Sequence, residues 1–221
     1  MSASLEFQNK KKALPLGEEF VRGVGVHQLY NKIYTERRGW HSFLAKCFCI
    51  FDVAIWTCAP KAVTEAMVQN IFKKEELSKI KFVMDQSFCT DSGVLRPDGK
   101  SNVMLKDLTM VWHRFYNGLY DATNTILIDD SPIQNFLNPT FTALYPKIFK
   151  YADFMDTFLG DILWPFLEKL SQAVDVRLFL EINTPKWSSK NYDLDRIYHD
   201  GIHTILQTKF AVSSALHTYD P

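Results

Sequence analysis

At 221 residues the chain is sized for one α/β domain with a full core, and 47% apolar with 23% charged residues excludes a disordered protein. Lys+Arg and Asp+Glu each count 25, so no global field recruits nucleic acid or a membrane surface. No apolar run reaches transmembrane length, and Met1 to Lys12 lacks the apolar core of a secretory signal.

From Arg37 onward the pattern alternates helix and strand. Ser42 to Phe48 predicts a short amphipathic helix, and Ile50 to Thr57 a buried parallel strand ending at Thr-Cys-Ala-Pro. Lys61 to Phe72 carries Val63, Met67, Val68 and Ile71 at helical spacing. Ile80 to Met84 predicts a second strand, followed by Asp85-Gln86-Ser87 and a polar loop, D-S-G-V-L-R-P-D-G-K. Leu105 to Phe115 reads as helix, Ile126 to Ile128 as the third strand and Thr142 to Tyr145 as a fourth. Phe154 to Ala173 and Asp175 to Ile182 predict further helices. Strands separated by helices of this length predict βαβ units in a right-handed, mostly parallel sheet.

After Pro185, Asp193 to Phe210 predicts one more helix, on which His199 and His203 stand four apart. Without a third ligand nearby they read as surface or half-buried histidines and not as a metal site. Cys47, Cys49, Cys58 and Cys89 lack C-x-x-C spacing and read as reduced interior thiols of an intracellular protein. Lys10-Lys11-Lys12 reads as a solvated terminus, with a nuclear-import patch as the alternative.

The richest stretch is Asn124 to Pro139, N-T-I-L-I-D-D-S-P-I-Q-N-F-L-N-P. Three apolar β-formers run into Asp129 and Asp130, and Ser-Pro opens a helix. A carboxylate pair at the C-terminal edge of a buried parallel strand is where open α/β sheets place metal and phosphate chemistry.

Several blocks in order resemble one family. Arg37 to Leu44 (R-R-G-W-H-S-F-L) is similar to the R-P-G-x-x-x-F-L helix start of the RNA polymerase C-terminal-domain phosphatases. Those enzymes, with the NLI-interacting factors, belong to the haloacid dehalogenase (HAD-like) superfamily. Phe51 to Cys58 resembles the family's second motif, a strand ending in Thr or Ser. Lys106-Asp107-Leu108 with Val111-Trp112 resembles its third, K-D-L-x-x-x-W, and Asn124 to Pro139 its D-D-S-P block. Met84 to Gly93 is most similar to a plant-type branch.

The resemblance covers residues 37–182, preceded by a divergent segment, 1–36, and followed by a helical tail, 183–221. It implies an α/β fold, a three-layer HAD-like (Rossmann-like), mostly parallel sheet with helices on both faces. The implied chemistry is Mg²⁺-dependent dephosphorylation of phosphoserine or phosphothreonine proteins, such as the RNA polymerase II C-terminal domain. It implies a nuclear or cytoplasmic location in preference to the mitochondrion. Thr57 would offer a hydroxyl and a backbone N–H to a phosphoryl oxygen, and Lys106 a compact cation. Asp129 and Asp130 would be the metal carboxylates, Asp130 holding Mg²⁺ and Asp129 orienting Lys106 or completing the outer shell. Read alone, Thr57 is a helix N-cap and Lys106 a solvated helix start.

The family's first motif, a strand ending D-x-D or D-x-N that carries the nucleophile, has no counterpart: the first aspartate of the chain is Asp52. Asp52 precedes the β-forming core of the Ile50 to Thr57 run, Val53 to Trp56, and would sit at the sheet's opposite edge. The central strand is therefore absent or replaced, and Phe20 to Val26 is the one apolar candidate for its place. The expectation is a catalytically impaired domain, a pseudophosphatase with weakened Mg²⁺ binding, in which Lys106 forms a local ion pair with the aspartates. Three alternatives stay open. One is an active phosphatase using Glu18 or Glu19. Another is a non-catalytic scaffold like the phosphatase-like domain of a mitochondrial import receptor. The last is a truncated product of an active enzyme.

Overall fold

A computed structural model describes residues 8–9, 26–29, 32–96, 99–115, 118–150, 153, 155–188 and 201–202. It is a mixed α/β protein whose described strands fall into four small sheets. Strands β1 (Gln8–Asn9), β2 (Val26–Leu29) and β3 (Lys32–Thr35) form an antiparallel sheet in the order β1-β3-β2. Val26 pairs with Thr35 there, so the end of the Phe20 to Val26 run belongs to this hairpin. The rest of that run lies outside the described residues.

Gly39 starts the first helix, α1 (Trp40–Ile50), from a left-handed conformation with φ 75°, which a side chain would strain. Just before it, Arg37 grips Asp156 with a fork, Nε to Oδ2 at 2.5 Å and Nη2 to Oδ1 at 3.2 Å. Its guanidinium stacks 4.7 Å from the Phe158 ring centre. Arg37→Lys keeps the charge but loses the fork and the stacking. It is expected to lower unfolding free energy by about 1–3 kcal/mol in urea titrations.

The strand expected over Ile50 to Thr57 is mostly not ladder. Ile50 stays in α1, where Phe51 N–H closes the last turn on Cys47 O at 2.8 Å, and only β4 (Ile55–Trp56) is strand. Helix packing of Phe43, Leu44 and Cys47 overrides the β-propensity of Ile50. β4 runs parallel to β5 (Val83–Met84), with Lys81 N–H to Val53 O, Ile55 N–H to Phe82 O and Thr57 N–H to Met84 O at 2.8–3.1 Å. Helices α2 (Lys61–Ile71) and α3 (Lys74–Leu77) lie between them in the chain.

The polar loop after Ser87 is instead an antiparallel hairpin, β6 (Thr90–Leu95) with β7 (Asn102–Leu105), whose register shifts between Asp91 and Leu95. Its inward side chains make a small core, Val103, Leu105 and Ile202, against Val94, Ile133, Phe136 and Leu137. Leu105 thus ends a strand, and the helix predicted to start there is the shorter α4 (Thr109–Arg114).

β8 (Leu127–Ile128) pairs in parallel with β9 (Ala143–Leu144). Both faces are covered, and the strand accordingly reads as a continuous apolar run, Ile126-Leu127-Ile128. Ile128 and Leu144 pack with α1 and the C-terminal helices, while Leu127 and Ala143 pack with Trp56, Met84, Leu108 and Val111. The C-terminal helices are α5 (Trp164–Leu170) and α6 (Val176–Asn183), the latter capped by Asp175, whose carboxylate accepts from Arg177 and Leu178 N–H. A π-helical turn, Leu159–Leu163, leads into α5. Pro165 accounts for it: its ring would strike the carbonyl of Asp161 in a regular α-helix, and widening the turn relieves the clash.

Among the described residues no backbone hydrogen bond joins β4 to β8. Residues 53, 55 and 57 turn their backbone groups to β5, and 127 and 129 turn theirs to β9. Between them lies an apolar cavity of about 410 Å³ whose wall includes Ala54, Trp56, Ile126 and Ile128. No helix among the described residues is long and apolar enough to cross a membrane.

Candidate functional site

Three strand ends carry the sequence-predicted residues. Thr57 follows β4, Lys106 follows β7, and Asp129 with Asp130 follows β8. Lys106 and Asp129 are each 1% exposed, and Lys106 Nζ donates to Asp129 Oδ2. The ion pair expected of Lys106 is present, with Asp129 as the partner. The solvated helix start is not what Lys106 does: α4 begins later, with Asp107 Oδ1 accepting from Thr109 N–H at 3.0 Å.

The second oxygen of Asp129, Oδ1, accepts from Ser131 N–H at 2.8 Å. Asp129 N–H itself donates to Leu144 O at 3.0 Å, so the ladder fixes where the carboxylate starts. Asp130 is half-buried beside it. The charges of Lys106 and Asp129 are both felt at the Cys58 thiol, the first lowering and the second raising its pKa, so the turn after Thr57 lies within electrostatic reach of the pair.

Thr57 is not the cap of α2; Pro60 holds that position. Its backbone N–H, expected to meet a phosphoryl oxygen, is taken by Met84 O at 2.9 Å. Its hydroxyl accepts from Ala59 N–H at 3.1 Å and keeps its own proton to donate.

A polar network the sequence reasoning missed locks Lys106 in place. Lys106 N–H donates to Gln134 O at 2.7 Å. Asn138 Nδ2 donates to Lys106 O and to Asn135 Oδ1, both at 2.7 Å, while its Oδ1 accepts from Leu108 N–H at 2.6 Å. Asn135 Nδ2 in turn donates to Tyr145 Oη at 3.0 Å. The signal was in the sequence, two asparagines three apart just after D-D-S-P, but nothing local says they bridge to the segment around Lys106.

Asp52 lies before β4, whereas Thr57 lies after it. It pairs with Lys81 Nζ at 3.0 Å and accepts from Tyr120 O–H at 2.9 Å. Among the described residues no three of His, Cys, Asp and Glu gather as a metal would need. His199, His203, Glu18 and Glu19 lie outside the described residues.

A lysine after an antiparallel strand and an aspartate after a parallel one, buried against one another, define an α/β protein with a polar site at these strand ends. The family model of the NLI interacting factor-like phosphatases matches residues 5–177, and the chain belongs to that family. No curated protein matches the chain.

Proposed function

We propose that this chain is a phosphoprotein-binding member of its family that does not turn its ligand over. The observation that carries the reading is the buried Lys106–Asp129 pair beside the Thr57 turn, in a chain whose first aspartate, Asp52, stands at the other end of β4. A phosphoserine or phosphothreonine side chain, for example in the RNA polymerase II C-terminal domain, would take the Lys106 ammonium and the Thr57 hydroxyl as donors. Asp129 would then act as the positioning residue that aims Lys106, with Asp130 flanking it. The domain around this site would span 37–182 in a three-layer HAD-like arrangement, and the cavity between β4 and β8 would mark the place of its central strand.

Magnesium fits these residues poorly. Both oxygens of Asp129 are engaged, one by Lys106 and one by Ser131 N–H, which leaves a hard dication short of carboxylate ligands among the described residues. No step is assigned to the metal. Isothermal titration of the full chain is expected to give Mg²⁺ binding weaker than about 1 mM; a tighter site would contradict this.

Fluorescence anisotropy with a phosphoserine peptide and its unphosphorylated twin tests the proposal. Binding of the phosphorylated peptide alone is expected, weakened about tenfold by Thr57→Val through loss of one charge-assisted hydrogen bond. Equal binding of both peptides, or none, would overturn it.

A further inference from the structure

Cys58 and Cys89 come together beside the Lys106–Asp129 pair although 31 positions separate them in the chain. Their sulfurs lie 3.7 Å apart, and both side chains are half-buried. Cys89 Sγ also approaches the carbonyl oxygens of Thr57 at 3.9 Å and Asp85 at 4.0 Å. The two segments that carry them are held together at two points by the backbone. Thr57 N–H donates to Met84 O, and Gln86 N–H donates to Ala59 O, each at 2.9 Å. A disulfide needs its sulfurs about 2.05 Å apart, so from 3.7 Å only a short gap is left to close.

We propose that Cys58 and Cys89 form an oxidisable dithiol, a modification site at which hydrogen peroxide closes an intramolecular disulfide between the end of β4 and the segment after β5. The inference does not rest on the phosphate reading above. It departs from the sequence expectation of reduced interior thiols, since Cys58 and Cys89 are only half-buried.

The chemistry divides the two roles. The hydrogen bond from Cys89 holds the Cys58 thiol below its ordinary range, and the nearby Lys106 cation acts in the same direction against the effect of burial. The same bond, then burial, pushes the Cys89 thiol far up. Cys58 is therefore the attacking thiolate and Cys89 the resolving thiol. The Cys58 sulfur attacks one peroxide oxygen, the O–O bond breaks, and hydroxide leaves; Cys58 becomes a sulfenic acid. Cys89 sulfur then attacks Cys58 sulfur, the S–S bond forms, the S–O bond breaks, and the departing hydroxide takes the Cys89 proton as water. Two thiols lose two electrons in all, and one peroxide becomes two waters. Burial pushes the Cys47 thiol up to about 12, and exposed Cys49 donates to Ala45 O at 3.4 Å; neither has a second sulfur against it among the described residues.

The test treats the reduced full chain with a few equivalents of hydrogen peroxide. Loss of two hydrogens by intact mass is expected, with a Cys58–Cys89 cross-linked peptide on digestion, full reversal by dithiothreitol, and a higher Tm for the oxidised form because the closed loop restricts the unfolded chain. Cys58→Ser should abolish the mass change. Cys89→Ala should leave a Cys58 sulfenic acid that dimedone traps. A peptide map of the wild-type chain without the Cys58–Cys89 pair, or with disulfides to Cys47 or Cys49 in equal yield, would overturn the proposal whether or not the variants fold.

Discussion

Lys106→Met is expected to destabilise the fold by about 3–5 kcal/mol, because it leaves the Asp129 carboxylate buried without its counter-charge. Both partners are 1% exposed, so solvent compensates poorly for the lost ammonium. The remaining Ser131 N–H bond supports one oxygen only. The double variant Lys106→Met/Asp129→Leu removes the charge together with its partner and is expected to recover most of the loss. Urea denaturation of the four proteins in this cycle measures the coupling directly. A Lys106→Met chain within about 1 kcal/mol of the parent would show that the pair is not desolvated.

Asn138→Ala is the second large effect, expected at about 2–4 kcal/mol. One side chain satisfies Leu108 N–H, Lys106 O and Asn135 Oδ1, and truncation leaves several polar groups short of partners at once. The matched control is Asn183→Ala, whose amide bonds only Phe179 O on an exposed stretch of α6. That change is expected to stay within about 0.5 kcal/mol. Thermal unfolding of both variants checks the contrast; equal shifts would mean that the asparagine bridge is not what ties the Lys106 segment to the loop after Asp130.

How far the sequence foretells this molecule depends on what each segment's signal was made of. Helical spacing over Lys61 to Phe72 placed α2 to within a residue, because its buried row of Thr64, Met67 and Ile71 is local information. The strands after Ile80 and Asn124 were found but were too long, since ladder length is set by the partner strand and not by local apolar runs. The β6–β7 hairpin was read as a loop because Asp91, Gly93 and Asn102 carry turn chemistry; what makes it a hairpin is the inward row of Val103 and Leu105, which meets Ile202 from far along the chain. At the site, residue types at strand ends pointed to Lys106 and Asp129, and burial turned two separate motifs into one ion pair. The N–H of Thr57, which the sequence offers to a ligand, is already used by the β4–β5 ladder. The cysteine pair was invisible because no spacing rule covers two thiols 31 positions apart.

What is proposed is that the residues for gripping a phosphoryl group remain while, among the described residues, no carboxylate is placed to attack it. Mg²⁺-dependent hydrolysis of a generic aryl phosphate by the purified full chain, measured beside Asp130→Ala, tests this most directly. The account predicts that the two proteins are indistinguishable from buffer; turnover by the parent chain that disappears in Asp130→Ala would contradict it.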